Sequence, residues 1–312
     1  SGTISTTDGG TDTLILGDGS NDTFTNAAGG TFAIGDSDIV TGTGTTMVNS
    51  GAAGLNATIT LGTGSSLSVA SLTNGAYGEI TNAGTISTSG GALANEADAE
   101  LTNTATGTIQ NGVQSAGTFS NAGQVNGAVE VTGGETTNTG VFGGTPSVSG
   151  GTLNNDGGTL TGAVDITGGA VTNSGTFADT TTVADGSLNN DGGTLTGAVT
   201  VGADGDLTTS GIVTGTLTNA GTTTVTDGSV ADLDNTGNAT VSGGVVADLD
   251  NSGSGDLTIG TDGTVTTLSN AGTASNAGVV GTLTNTGGTF TNTGNVTGTS
   301  SVTGSRSWLR PG

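Results

Sequence analysis

Val230-Ala-Asp-Leu-Asp-Asn-Thr-Gly237 returns sixteen residues later as Val246-Ala-Asp-Leu-Asp-Asn-Ser-Gly253. Both stretches contain one short frame: an apolar residue, a small polar one, Asn, any residue, then Gly. The frame recurs as Ile80-Thr-Asn-Ala-Gly84, Phe119-Ser-Asn-Ala-Gly123, Val171-Thr-Asn-Ser-Gly175, Leu217-Thr-Asn-Ala-Gly221, Leu268-Ser-Asn-Ala-Gly272 and Leu283-Thr-Asn-Thr-Gly287. Two longer copies, Leu153 to Val164 and Leu188 to Val199, are identical.

The leading positions 119, 136, 153, 171, 188 and 207 stand 17, 17, 18, 17 and 19 apart, and 217, 233, 249, 268 and 283 stand 16, 16, 19 and 15 apart. A period of about 17 residues is too short for helix-pair repeats and too irregular for a heptad seam. It suits one coil of a β-solenoid with short strands and tight corners. Strand-like triplets such as Thr159-Leu160-Thr161 alternate apolar and polar residues, so every second side chain can point inward. Thr and Val fit a pleated, half-buried surface. Asn and Gly are read as supplying left-handed corners, and stacked Asn side chains can form hydrogen-bonded ladders along the axis. The corner residues so marked are Asn82, Asn121, Asn173, Asn219, Asn235, Asn251, Asn270 and Asn285. The fold expected is all-β: a single-stranded β-solenoid with coils of about 17 residues. Less regular coils or a cap are expected over 1–60, the regular solenoid over 61–300, and a tail, cap or docking peptide over 301–312.

Composition narrows the function. The chain has 312 residues with 63 Gly, 2 Pro and no Cys, and 26 acidic against 2 basic residues give a net charge of −24. Neither His nor Lys occurs. That removes the Ser-His-Asp triad, thiolate and Schiff-base chemistry and ordinary zinc sites. Paired carboxylates alone can cleave glycosides, but Tyr77 and Trp308 are the only large polar aromatics available to line a cleft. The expectation is that the chain is not an enzyme and requires no cofactor. Phosphates need Lys and Arg, so nucleic acid is excluded as a partner. No apolar run has the length of a membrane span, which argues against membrane insertion.

Calcium is the one cofactor the residues suggest. If Leu233 and Leu249 point inward, Asp232, Asp234, Asp248 and Asp250 face outward on adjacent coils, and a hard cation would relieve their repulsion. The alternative is that these solvated carboxylates splay apart. Leu16 to Phe24 resembles a calcium-binding nonapeptide of the RTX type, with Asp18 and Asp22 as ligands; a plain surface turn is the alternative. The region also holds Asp36 and Asp38.

The frame resembles the passenger regions of bacterial autotransporters and haemagglutinin-like β-solenoid adhesins, over roughly residues 72–297. That resemblance implies a right-handed β-helix, an extracellular or bacterial cell-surface location and an adhesive role, with cell-surface or matrix glycans as candidate ligands.

At the C-terminus, Arg306 and Arg310 are the chain's only basic residues and Trp308 its only Trp. With Leu309 they form a candidate subunit interface, since Trp and Arg favour interface hot spots. An open solenoid end is a strand-pairing template, and head-to-tail contact that does not close gives a filament. The function expected first is therefore a self-assembling surface filament or matrix fibre, partnered with itself head-to-tail. A monomeric autotransporter-type adhesin is the alternative. Ice binding through Thr-x-Thr faces, as at Thr23-Phe-Thr25 and Thr282-Leu-Thr284, is a third reading. Four glycosylation sequons, at Asn21, Asn56, Asn238 and Asn295, are expected by chance in so Asn- and Thr-rich a chain.

Overall fold

The computed structural model describes residues 2–6, 11–17, 21–303 and 305–308, the last three by backbone alone. All regular structure among these residues is β, and every pairing between strands is parallel. Among the described residues no helix is long and apolar enough to cross a membrane. The chain forms two compact units, Ser1–Gly162 and Ala163–Gly312, and each is a parallel β-solenoid.

In the first unit the strands stack in three columns. One column contains Ala57–Leu61, Gly78–Asn82, Glu100–Asn103, Thr118–Asn121, Glu135–Asn138 and Thr152–Asn155, each paired with the next in register. Alternation sets the inside. Ile59, Ile80, Leu101, Phe119 and Leu153 are buried, whereas Thr60, Thr81, Thr102 and Ser120 between the inward positions face out. Phe119 lies over Phe142 of another column with ring centroids 6.0 Å apart, which fills the core of this stretch with aromatic surface.

The second unit is built the same way, with longer strands that turn a corner without breaking, as in Val164–Asn173 and Val199–Thr209. One column carries Leu217, Leu233, Leu249, Leu268 and Leu283 stacked in register. Another carries Val171, Leu188, Leu207, Thr223, Ala239, Leu257, Ala274 and Phe290. The third is a file of Phe177, Leu195, Val213, Val230, Val246, Val265 and Val280. All but Thr223 are apolar and all are buried, so each coil closes on its own thin apolar core and borrows the rest from its neighbours.

Coil length is not constant. Successive inward Asn residues are 23 and 25 positions apart at Asn26, Asn49 and Asn74, then 21 to Asn95. Farther along they are 17 apart at Asn121 and Asn138, and 15 apart at Asn270 and Asn285. The period of about 17 residues describes the middle of the chain; the N-terminal coils are longer because their corners carry extra loop residues, such as 51–56.

The glycine of the repeated frame has a different job from the one read in the sequence. Gly221 and Gly237 lack a left-handed φ; a Cβ on Gly237 would collide with the backbone oxygen of Gly221 one coil away. Close approach of stacked backbones therefore demands glycine there. Gly253 and Gly287 are exceptions, with φ of 60° and 140° and open space around each.

Candidate functional site

The eight predicted corner asparagines are all buried, at 2% exposure or less. They belong to hydrogen-bonded ladders that run from coil to coil. In the first unit Asn82 donates through Nδ2 to Oδ1 of Asn103 at 2.7 Å, Asn103 to Asn121 at 2.7 Å, Asn121 to Asn138 at 2.7 Å and Asn138 to Asn155 at 2.8 Å. In the second, Asn219, Asn235, Asn251, Asn270 and Asn285 are linked at 2.7–2.8 Å. Asn173 donates to Asn190, which donates to the Thr209 hydroxyl at 3.1 Å. The same amides also donate to backbone carbonyls, as Asn251 does to Gly255 at 3.2 Å and Thr273 at 2.9 Å. A buried amide would otherwise be costly, and the ladder satisfies it.

Each ladder has ends. Asn82 faces Leu61 and Asn276 faces Ile259 on the coil before; their free Oδ1 atoms accept the N–H of Gly84 and Gly278 at 3.1 Å. Asn219 faces Val201, and its Oδ1 is buried without a partner, as are the hydroxyls of Thr136, Thr181 and Thr223. Where one column carries Asn, its neighbour tends to carry an apolar residue at the matching place: Val225, Val241 and Ile259 follow Thr209 as Asn219, Asn235 and Asn251 begin.

The acidic array lies outside. Asp232 pairs in register with Asp248, and Asp234 with Asp250. Asp232 also accepts a hydrogen bond from the Thr216 hydroxyl at 2.9 Å. Partial burial, and then the charges of Asp232, Asp250 and Asp248, raise the Asp234 carboxyl above its ordinary value. Among the described residues, no group of three or more His, Cys, Asp or Glu side chains is placed to share one metal ion. Asp18 of the RTX-like stretch lies outside the described residues.

Asp38, which sequence reading did not single out, is buried at 1% exposure. Its carboxylate accepts the Asp12 N–H at 2.8 Å. The Thr6 hydroxyl, then that N–H, and finally the Gly35 backbone hold it below its ordinary value against the opposing effect of burial. It ties the N-terminal coils together.

At the C-terminus, Ser305–Trp308 is a strand paired in parallel with Thr289–Asn292, so Arg306 and Trp308 belong to a strand that continues a column. Leu309 and Arg310 lie outside the described residues.

Outward rows are in register but chemically mixed. Thr208, Thr224, Thr240 and Thr258 align, while the parallel row reads Asp206, Thr222, Asn238, Asp256. Carboxylates within the face count against an ice-like threonine lattice.

One corner of the first unit stands apart. Four-residue turns recur there, the first separated from the other two by the loop 51–56: Gly30 N–H bonds Ala27 O at 2.7 Å, Gly78 bonds Gly75 at 2.8 Å, and Ala99 bonds Glu96 at 3.1 Å. The third residue of each has left-handed φ: Gly29 at 72°, Tyr77 at 55° and Asp98 at 63°. Among the described residues, left-handed φ otherwise belongs to glycines and Ser37. Asp tolerates the conformation; an aromatic residue pays about 1–2 kcal/mol for it. Tyr77 is held there from both sides, its N–H bonding Asp98 O at 3.0 Å and its carbonyl accepting from Ala57 at 3.2 Å. Tyr77 is 38% exposed, and Leu55 of the neighbouring loop is 53% exposed.

No protein-family model and no curated protein matches the chain. Among solved structures, the crystal structure of a TibC-catalyzed hyper-glycosylated TibA fragment (residues 55–350) aligns over 99% of this chain and 98% of that one, at 17% identity and a TM-score of 0.37. A similarity this slight leaves function to be argued from the chain's own residues.

Proposed function

We propose that the chain is a non-catalytic, extracellular surface scaffold with an adhesive lateral face. The observation that carries this reading is the division of labour between inside and outside. Buried asparagines and apolar files hold successive coils in fixed register. Outward rows such as Thr60, Thr81, Thr102, Ser120 and Thr137 are then displayed at a strand-to-strand repeat of about 4.8 Å. Repetition of weak contacts along such a surface gives avidity without any deep pocket. The acidic surface keeps the chain soluble and repels anionic membranes and nucleic acid. The test is binding of the purified chain to cells and matrix; saturable retention that survives physiological salt supports the reading, and retention no greater than that of an unrelated acidic protein removes it.

A second reading, end-to-end assembly into a filament, is favoured by one observation. Ser305–Trp308 adds a strand to its column by pairing with Thr289–Asn292. Electron microscopy across a dilution series separates the two readings: filaments with a regular axial repeat support assembly, and single particles at every concentration leave the lateral face as the working surface.

A further inference from the structure

We propose that the corner built around Tyr77 is a carbohydrate-binding site for a neutral hexose or N-acetylhexosamine; this rests on the adhesive reading above. The argument begins with an outlier. At the third position of the turns, Gly29 stands two coils before Tyr77 and Asp98 one coil after it, both suited to a left-handed backbone. Tyr77 between them, a bulky aromatic residue, is poorly suited to it. Strain that persists where the surroundings fix the backbone points to a side chain retained for another purpose. The core does not supply that purpose, because Tyr77 stands on the surface at 38% residue exposure and the apolar files are complete without it.

The surroundings indicate the ligand. Leu55 lies exposed on the adjoining loop, which is closed by reciprocal hydrogen bonds between Ala52 and Leu55 at 3.0 and 2.8 Å. The Asn56 amide donates to the Glu79 carboxylate, two residues beyond Tyr77. Asp98 and Glu96 occupy the next turn in the stack, both exposed. One exposed aromatic residue on a corner whose neighbouring loop and turn also carry an exposed Leu, an amide and several carboxylates offers the groups a pyranose needs. Its C–H face stacks on the ring and its hydroxyls donate to the acids. Stable protein partners need about 800 Å² on each side and several anchors, more than this corner offers. The carboxylates exclude sialylated and sulfated sugars by repulsion.

The experiment compares the full chain with Tyr77→Gly and Tyr77→Phe on an array of neutral and anionic oligosaccharides, with thermal melts of each. Expected are wild-type and Y77F binding to neutral glycans, with binding about tenfold or more weaker for Y77G. The melting temperature of Y77G should equal or exceed that of the wild type, because glycine relieves the backbone. Equal glycan binding by Y77G overturns the proposal and leaves adhesion to other parts of the lateral face. A clearly lower melting temperature for Y77G overturns it too, by making the tyrosine a structural residue. If the wild type binds cells but no glycan, this site is refuted and a protein ligand is indicated. If it binds neither, the adhesive reading falls as well.

Discussion

Leu207 and Leu217 are ten residues apart in sequence and stand in different columns of the second unit: Leu207 pairs with Thr223, whereas Leu217 pairs with Leu233. The inward asparagines change column with them. Asn190 reaches the Thr209 hydroxyl on one file, and the next ladder starts at Asn219 on another. Coil-to-coil register, and not the order of the frames in the sequence, decides which side chains meet.

Register makes whole coils interchangeable. Removing Thr236–Asn251 joins Asn235 to Ser252 and brings Leu233 onto Leu268, with the frame intact. We expect this variant to keep its β circular-dichroism spectrum and to melt within about 5 °C of the parent. A deletion of about half that length should abolish cooperative melting, since it places inward residues of one column against those of another.

Interrupting a ladder should cost more than removing one. Asn251→Leu leaves Oδ1 of Asn270 without its donor and frees the carbonyls of Gly255 and Thr273. A loss of about 2–4 kcal/mol is expected in urea denaturation. Asn276 and Asn292 form a two-residue ladder, in a column that holds Val241 and Ile259 in the preceding coils; besides their mutual bond, Asn276 meets the Gly278 N–H and the Asn295 carbonyl, and Asn292 the Gly294 carbonyl. Asn276→Val with Asn292→Val should cost less than Asn251→Leu alone, because it strips partners from backbone groups only, whereas Asn251→Leu also takes partners from the buried amides of Asn235 and Asn270.

Glycine substitutions should separate crowding from φ. Gly237→Ala places a methyl group against the Gly221 carbonyl, and Gly253→Ala meets only a strained φ in open space. The second should cost about 1–2 kcal/mol and the first more, measured by thermal melts of the two variants.

The two shifted carboxyls predict opposite pH effects. Asp234 is raised from 3.8, so the folded state holds its proton more tightly than the unfolded state does. Its contribution favours folding at pH below 3.8 and is lost as pH rises through the folded value. Asp234→Asn should therefore raise the melting temperature modestly at pH 7, less so in high salt, and not at all near pH 3. Calcium held between the aspartate rows would erase the neutral-pH gain; melts in EDTA and in millimolar calcium test this. Asp38 is lowered from 3.8, so its contribution is present above that value and lost as pH falls through the folded one. Asp38→Asn should destabilise at pH 7 and have little effect in acid.

The repeated frame was sufficient to specify a parallel solenoid, because an apolar residue two places before Asn, with glycine two places after, fits only a strand that ends at a tight, closely stacked corner. It also carried the outward pairing of Asp232 with Asp248, since identical neighbouring coils leave the register no choice. What the frame could not convey was which column each copy joins, because corner length, and not the frame, fixes where the next strand begins. Burial of Asp38 likewise depends on Thr6 and Asp12 arriving from 26 or more residues away. Tyr77 is an ordinary turn residue when read along the chain. Only the stacked backbone, pinned by Ala57 on one side and Asp98 on the other, holds it at φ of 55° and gives its exposed ring significance.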